Sequence, residues 1–520
     1  MNRFLNSLKD DTNFTRTENG GITHKTTRSD LLDMFAMGAA MRNRSDEDVI
    51  LMFRKAYVEN PIYALKCLFY IRDIRGGQGE RRFFRLCIRD LAVNYPSVMR
   101  RNIKNIPEYG RWDDLFELVN TPVEGAMWRF VRNQLTLDMD SKTPSLLAKW
   151  MKSENTSSKA SRALGRHTRG QLRMTSRQYR KTLSKLRERI NVLERLMSAG
   201  EWDKIEFDKI PSKAGFIYKN AFARHDVERM MKATAPVQSY KDFASDTTKT
   251  VNAKDLYPYE IVGQAIDITK YNDRYSYPYR SNSVINSTDR NIVNKYWDNY
   301  LKSIDEFTFN GIAVVDTSAS MLHYGAKDQP MNIAISLGMC CAEKAQGPFH
   351  NHFITFSRNP QLIEIEGVDF VDKVHRIYSK NICENTNIKG VFDLLLSTAR
   401  SHFCSQDEIP QNIIIISDME FDYCAGGGNR WYDSYPSFTR KNVNTELEKI
   451  AEEWRRYGYT IPNLIFWNVD ARQNNIPMLA PGASFVSGMS PSIYQTIATG
   501  KTGYDLMMDK LNSPRYAMVQ

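Results

Sequence analysis

Five oxygen-bearing side chains fall in an order that suits a hard divalent cation. Asp316-Thr317-Ser318-Ala319-Ser320 offers a carboxylate and two hydroxyls at alternate positions of one loop. Thr386 adds a third hydroxyl and Asp418 a second carboxylate. Mg2+ or Mn2+ takes such oxygens in an octahedron. Few full negative charges touch the ion in this set, so it stays electrophilic, and an open position could accept a carboxylate from a partner. Rival chemistries fit less well. A phosphoaspartyl phosphatase needs a second Asp where Ser318 stands. The hydrolase elbow G-x-S-x-G is not matched by Thr317-Ser318-Ala319-Ser320. An EF-hand on Asp418-x-Glu420-x-Asp422 lacks Gly at its sixth position and Glu at its twelfth. Hydroxyls that merely cap the next helix are the structural alternative. The histidines form no HExxH, and His350-x-His352 reads as a strand flank. No nucleophile–base pair is legible, so the expectation is a protein that is not an enzyme.

These side chains need rigid elements behind them. Gly311-Ile-Ala-Val-Val-Asp316 is a short apolar run ending in an acid, as in a buried parallel strand. Asn412-Ile-Ile-Ile-Ile-Ser417 is another and runs straight into Asp418. Thr386 precedes a helix expected over 388–400. Further strands are expected over 352–357, 362–366 and 463–469 and near Phe485. Helices are expected over 332–345 and 444–457, with two more closing the chain. This alternation predicts a doubly wound α/β sheet, whose ligand crevice lies beyond the carboxyl ends of its strands.

Charge divides the chain differently. The 520 residues carry 71 Lys+Arg and 60 Asp+Glu, a net +11. Residues 301–520 hold 19 basic and 24 acidic side chains, leaving 52 and 36 for residues 1–300. Within 141–190 stand 14 basic residues against Glu154 and Glu188. Such a run points to a polyanion, most simply RNA, with a solvated helical face as the alternative. The candidate phosphate-contacting residues are Lys149, Arg162, Arg166, Arg173, Arg177, Arg180 and Lys181. Seven Cys, two of them adjacent and none in CxxC, argue against a disulfide framework and a zinc ribbon, and for a reducing cytoplasm. No apolar run approaches a bilayer span, so no membrane partner is expected.

Upstream of the sheet, the pattern is one of short helices. Ser45 opens one with an acidic first turn, and Pro61 starts another that stops by Gly76-Gly77. Phe83, Phe84, Cys87, Ile88 and Leu91 share a face before Pro96. Leu183, Leu186, Ile190, Leu193, Leu196 and Met197 mark a longer helix over 176–200, capped by Ser176. Two local features, Arg75-Gly76-Gly77 and Tyr109-Gly-Arg-Trp-Asp-Asp114, read as interhelical turns rather than nucleic-acid motifs. Residues 237–300 are rich in Asp, Asn, Ser, Thr and Tyr and read as an irregular connection before a helix at 291–301. Tyr271, Tyr275, Tyr277 and Tyr279 beside Arg274 and Arg280 could stack on bases, or pack as ordinary loop aromatics.

Asp316-x-Ser318-x-Ser320, Thr386 and Asp418 together resemble the metal-ion-dependent adhesion site of von Willebrand factor A domains, over about residues 307–520. Ser417-Asp418-Met419-Glu420 departs from the Thr-Asp-Gly of many members, and Glu420 and Asp422 are expected to add acidity at the rim. A helical module before such a domain resembles the Ro autoantigen (TROVE) architecture. More closely, it resembles an uncharacterised relative of that family found in microbes, viruses and plants. The matching stretches are 69–82, 109–114, 147–155 and 417–422. The resemblance implies HEAT-like helices closed into a ring by the A domain, with small structured RNA on a basic surface and single-stranded ends in the hole.

The expected organisation is therefore multidomain. An all-α, HEAT-like, TROVE-like module covers 1–236, an irregular connection with a bridging helix covers 237–306, and a Rossmann-like von Willebrand A domain covers 307–520. The expected function is a non-enzymatic RNA-binding scaffold, a cytoplasmic ribonucleoprotein component of a microbe or phage, with Mg2+ or Mn2+ held for an acidic protein partner. The alternative is a viral or virion-associated protein-interaction scaffold that uses only the metal site.

Overall fold

Capping chemistry sets where the helices begin. Ser45 accepts a hydrogen bond from the Asp48 amide and starts the helix Asp46–Glu59. Ser158 accepts one from the Ser161 amide and starts Lys159–Gln171. Thr175 with Gln178, and Thr445 with Glu448, form capping boxes for Ser176–Arg189 and Glu446–Arg456. The computed structural model describes residues 13–234, 236–269, 286–304, 308–323, 328–356, 360–380, 387–421, 445–479, 483–490, 492–497, 501 and 503–520. The tyrosine cluster at 271–279, Thr386 and Asp422 lie outside them.

Two helix expectations need correction. The expected helix over 176–200 is capped by Thr175 rather than Ser176 and ends at Arg189, and Leu193–Ser198 forms a separate one. Asn191 between them sits at φ +49°. That is the left-handed position, which Asn tolerates next best after Gly. Residues 237–300 are not simply irregular: Pro258–Thr269 is a helix with Ile261, Val262, Ala265 and Ile266 buried. Pro starts it at the position where a missing amide costs nothing.

Contacts divide the chain into two compact units. One comprises Leu68–Asp255 with Pro514–Gln520, the other Met1–Cys67 with Leu256–Ser513. This division differs from the expected 1–236, 237–306 and 307–520. The stretch Met1–Cys67 and the helices Pro258–Thr269 and Ser287–Ser303 go with the sheet.

In the helical unit, the segments 69–82 and 109–114 interlock. Phe69 packs on Phe84 and Tyr109. Arg72 reaches Asp114 at 2.8 Å, and the Ile74 amide donates to the Tyr109 carbonyl. Asp73 accepts from Arg515 and from the Tyr516 hydroxyl. Both segments thus form packed interhelical turns, as expected. A Cβ on Gly77 would stand 2.0 Å from the Tyr70 carbonyl oxygen, so only glycine passes there. Gly77→Ala is expected to destabilise by roughly 1–3 kcal/mol, the usual range for overpacking. An unchanged urea midpoint would show that the turn relaxes freely.

The other unit is built on a six-stranded mixed sheet. An antiparallel hairpin, β1 (Phe14–Arg16) and β2 (Ile22–His24), comes first in the chain. The sheet strands are β3 (Ile312–Asp316), β4 (His352–Phe356), β5 (Leu362–Glu364), β6 (Asn412–Ser417), β7 (Asn463–Asn468) and β8 (Ala483–Ser487), in the order β5-β4-β3-β6-β7-β8. All neighbours are parallel except β4 and β5. The central strands β3 and β6 are buried on both faces, hence their unbroken apolar runs. The helix Pro330–Lys344 packs so close to β3 that a Cβ on Gly338 would stand 2.3 Å from Val315 Cγ2. The helix Asp30–Met37, buried nearly all round, covers β8: Ser487 Oγ donates to the Phe35 carbonyl. That burial is why the N-terminal residues belong to this unit.

Candidate functional site

The register of β3 and β6 pairs Val315 with Ile416, which sets Asp316 beside Ser417 at the carboxyl edge of the sheet. Ser417 Oγ donates to Asp316 Oδ2 at 2.5 Å, and the Ser318 amide donates to Asp316 Oδ1 at 2.9 Å. The Ser318 and Ser320 hydroxyls lie 2.9 Å apart and bond to each other. Asp418 follows β6, buried, and accepts the Glu420 amide on Oδ1. Four of the five expected metal-site residues thus stand on two adjacent strand ends. Burial, and after it the charge of Asp418, pushes the Asp316 carboxyl up to about 7. Thr317 Oγ1 is buried and has no hydrogen-bond partner among the described residues.

The loop after β6 carries local strain. Met419 adopts φ +65°, and its side chain is buried. A non-glycine residue in that left-handed conformation costs about 1–2 kcal/mol. The expected role of Glu420 at an acidic rim is corrected: its side chain is fully buried. Glu420 Oε2 accepts the Glu18 amide at 2.7 Å, and Oε1 accepts from Asn475 at 2.8 Å. Burial pushes its carboxyl up to about 7. Glu420 therefore fastens the β1–β2 turn to the site, helped by Thr17 Oγ1 donating to the Phe421 carbonyl.

Sequence reasoning missed Arg472. Its guanidinium bonds Asp418 Oδ2 at 2.7 Å and Glu18 Oε2 at 2.6 Å. It also missed Asp470, which follows β7 and accepts from Asn43 at 3.0 Å, with His323 at 3.3 Å. The signal was present, since Asp470 closes a third buried apolar run at the same sheet edge. Among the described residues, no group of three or more His, Cys, Asp and Glu side chains is set to hold a metal. A cation here would draw on the two serine hydroxyls with Asp316 and Asp418. That donor set is hard oxygen and fits Mg2+ or Mn2+ in kind, although Arg472 already holds one oxygen of Asp418.

The basic stretch sorts into cations that tie segments together and cations without an ion pair among the described residues. Arg169 pairs with Glu154. Arg187 donates to the carbonyls of Ala148 and Met151 and to Ser153 Oγ, and Arg189 to the carbonyls of Met139 and Ser141. None of the seven expected RNA-contacting residues forms an ion pair with a carboxylate among the described residues. Lys149 is half-buried, 5.8 Å from the Trp150 ring centroid. Arg173 is exposed at φ +54°, just past the helix Lys159–Gln171. Arg177, Arg180 and Lys181 are exposed on Ser176–Arg189. Arg162 and Arg166 share a face of Lys159–Gln171 and line a cleft of about 640 Å³. Among the described residues no helix is long and apolar enough to cross a membrane.

Comparison with known proteins bears on both units. A family model described as a domain of unknown function (DUF2828) matches residues 17–167 and 138–308. Another, described as a domain of unknown function (DUF7788), matches residues 310–508. An uncharacterized protein of Acanthamoeba polyphaga mimivirus is 30% identical over 522 residues, covering 93% of this chain and 84% of the relative. The crystal structure of the Deinococcus radiodurans Ro (RSR) protein aligns with a TM-score of 0.46 and 12% identity, over 91% of this chain and 100% of that one.

Proposed function

The chain belongs to the DUF2828 family, and from its own basic stretch we propose that it is a non-enzymatic RNA-binding scaffold. The cations Lys149, Arg162, Arg166, Arg173, Arg177, Arg180 and Lys181, exposed or half-buried, would hold phosphates. The sheet unit, read as a von Willebrand A-type domain, would hold Mg2+ or Mn2+ through Asp316, Ser318, Ser320 and Asp418. Such an ion would supply a charge for a partner carboxylate. HEAT-like pairing of the helices and action in the cytoplasm belong to the same proposal.

The observation that supports it most is a run of seven cations in one stretch of chain, none of which forms an ion pair with a carboxylate among the described residues. Like charges at that density repel one another until a polyanion neutralises them. A second reading, a protein scaffold of viral lineage working through the sheet-edge site alone, draws support from the mimivirus relative.

Salt dependence separates the two. On single strands, log K falls by about 0.7 per neutralised phosphate for each decade of salt. Changing Arg173, Arg177, Arg180 and Lys181 together to Ser is expected to flatten that slope by about two to three units. An unchanged slope in a fluorescence titration would assign the four to a solvated face. Absence of RNA binding at low salt would favour the second reading.

A further inference from the structure

Lys159, Arg162 and Arg166 fall at i, i+3 and i+7 of one helix, so their stems share a face over two of its turns. That face forms one wall of the 640 Å³ cleft, and the segment Glu154-Asn155-Thr156 forms the other. The volume is in the range of small-ligand sites, roughly 300–1,000 Å³.

The second wall is fixed from behind. Glu154 is 9% exposed and spends its oxygens on Arg169 Nε at 2.8 Å and Ser176 Oγ at 2.7 Å. The Tyr179 hydroxyl donates to the Lys152 carbonyl, and Arg187 holds Met151 and Ser153. The only acid among the residues lining the cleft is therefore already neutralised. Lys159 and Arg166 make no side-chain hydrogen bond among the described residues. Arg162 gives one nitrogen to the Thr156 carbonyl and keeps the rest of its fork.

At Gly165 a Cβ would stand 2.9 Å from both the Lys152 and the Ser153 carbonyl oxygens, so helix and segment touch there. Among the described residues no aromatic side chain lines the cleft, which leaves nothing to stack on a base. Its chemistry recognises phosphate charge. A terminal phosphate carries about −1.5 to −2 at pH 7, where an internal phosphodiester carries one negative charge.

We propose that this cleft binds the terminal phosphate of an RNA strand, seating it between Arg162, Arg166 and Lys159. The proposal rests on the RNA reading above and deepens it.

The test uses the full chain and one oligoribonucleotide sequence with either a 5′-phosphate or a 5′-hydroxyl, followed by fluorescence anisotropy. The expected result is at least tenfold tighter binding of the phosphorylated strand. The double variant Arg162→Ser, Arg166→Ser should remove that preference while still binding both strands. The Arg173, Arg177, Arg180, Lys181 variant should weaken both strands alike and keep the preference. Equal affinity of the wild type for the two strands overturns this proposal and leaves the RNA reading standing. Binding of neither strand overturns both. Adenosine 5′-monophosphate that binds as tightly as the phosphorylated strand assigns the cleft to free nucleotides and overturns the strand-end proposal. Both substituted positions face solvent at least in part, so circular dichroism of the double variant should match the wild type.

Discussion

Asp114→Ala is expected to destabilise the protein by about 3–5 kcal/mol, the cost of breaking a buried ion pair from one side. Asp114 has no exposed surface and Arg72 is 1% exposed. Oδ2 accepts from Arg72 at 2.8 Å and from the Arg111 amide at 2.9 Å, while Oδ1 accepts from Arg85 at 2.7 Å. Removing the carboxylate leaves the Arg72 guanidinium buried without a counter-charge. Burial alone would raise the Asp114 carboxyl, but the Arg72 and Arg85 charges outweigh it and hold it below the ordinary value. A depressed folded-state value means that this group's stabilisation is present above the unfolded carboxylate range. It is lost as pH falls through the lower folded value. Urea midpoints of wild type and variant between neutral pH and pH 3 measure both effects. A loss under about 1 kcal/mol at neutral pH, the scale of an exposed pair, would show that Arg72 finds water or another acid. The pair Arg72→Met, Asp114→Leu should recover much of the loss, since that buried ion pair is then replaced by apolar groups.

Asp316→Ala should abolish binding of Mg2+ or Mn2+ in calorimetric titration, with the circular dichroism of the fold kept. The carboxylate is the one charged donor on the 316–320 loop, and the strands behind it are held by apolar packing. Equal affinity in the variant places the cation elsewhere. The pH dependence follows from the same buried position. With the Asp316 carboxyl raised to about 7, the folded protein retains a proton there that the unfolded chain has already lost. Stability of the metal-free protein should therefore fall as pH rises from the ordinary carboxylate range through about 7. A cation that replaces the proton removes this penalty. The gain in thermal midpoint on adding Mg2+ should accordingly be larger at pH 8 than at pH 6. A gain independent of pH would show that Asp316 is ionised without metal. Arg472 is a separate control: Arg472→Ala frees Asp418 Oδ2 and should tighten cation binding if the guanidinium competes for that oxygen.

The elements that carry the sheet-edge site were legible because burial on both faces leaves an unmistakable pattern. Runs such as Ile413–Ile416 and Ile312–Val315 can serve little but a central parallel strand, and the acid at each end then has to lie at the carboxyl edge. The helix start at Ser45 was equally local, being a matter of one hydroxyl and one amide. The pattern failed where a choice depends on partners distant in sequence. The helix Asp30–Met37 looks like any apolar helix until β8 is there to be covered. Charge shows the same division. Composition alone revealed that 141–190 is basic, a consequence of which residues are present. Tertiary structure decided that Arg169, Arg187 and Arg189 hold loops together, while Arg166, Arg177 and Lys181 remain without ion pairs among the described residues. It also decided that Arg472 meets Asp418 and that Glu420 is buried against the β1–β2 turn. Glu420 and Glu18 stand 402 positions apart in the chain, a separation that leaves no periodicity to read. Such pairing is set by which surfaces the folded backbone brings within hydrogen-bonding distance, and only the three-dimensional arrangement contains that information.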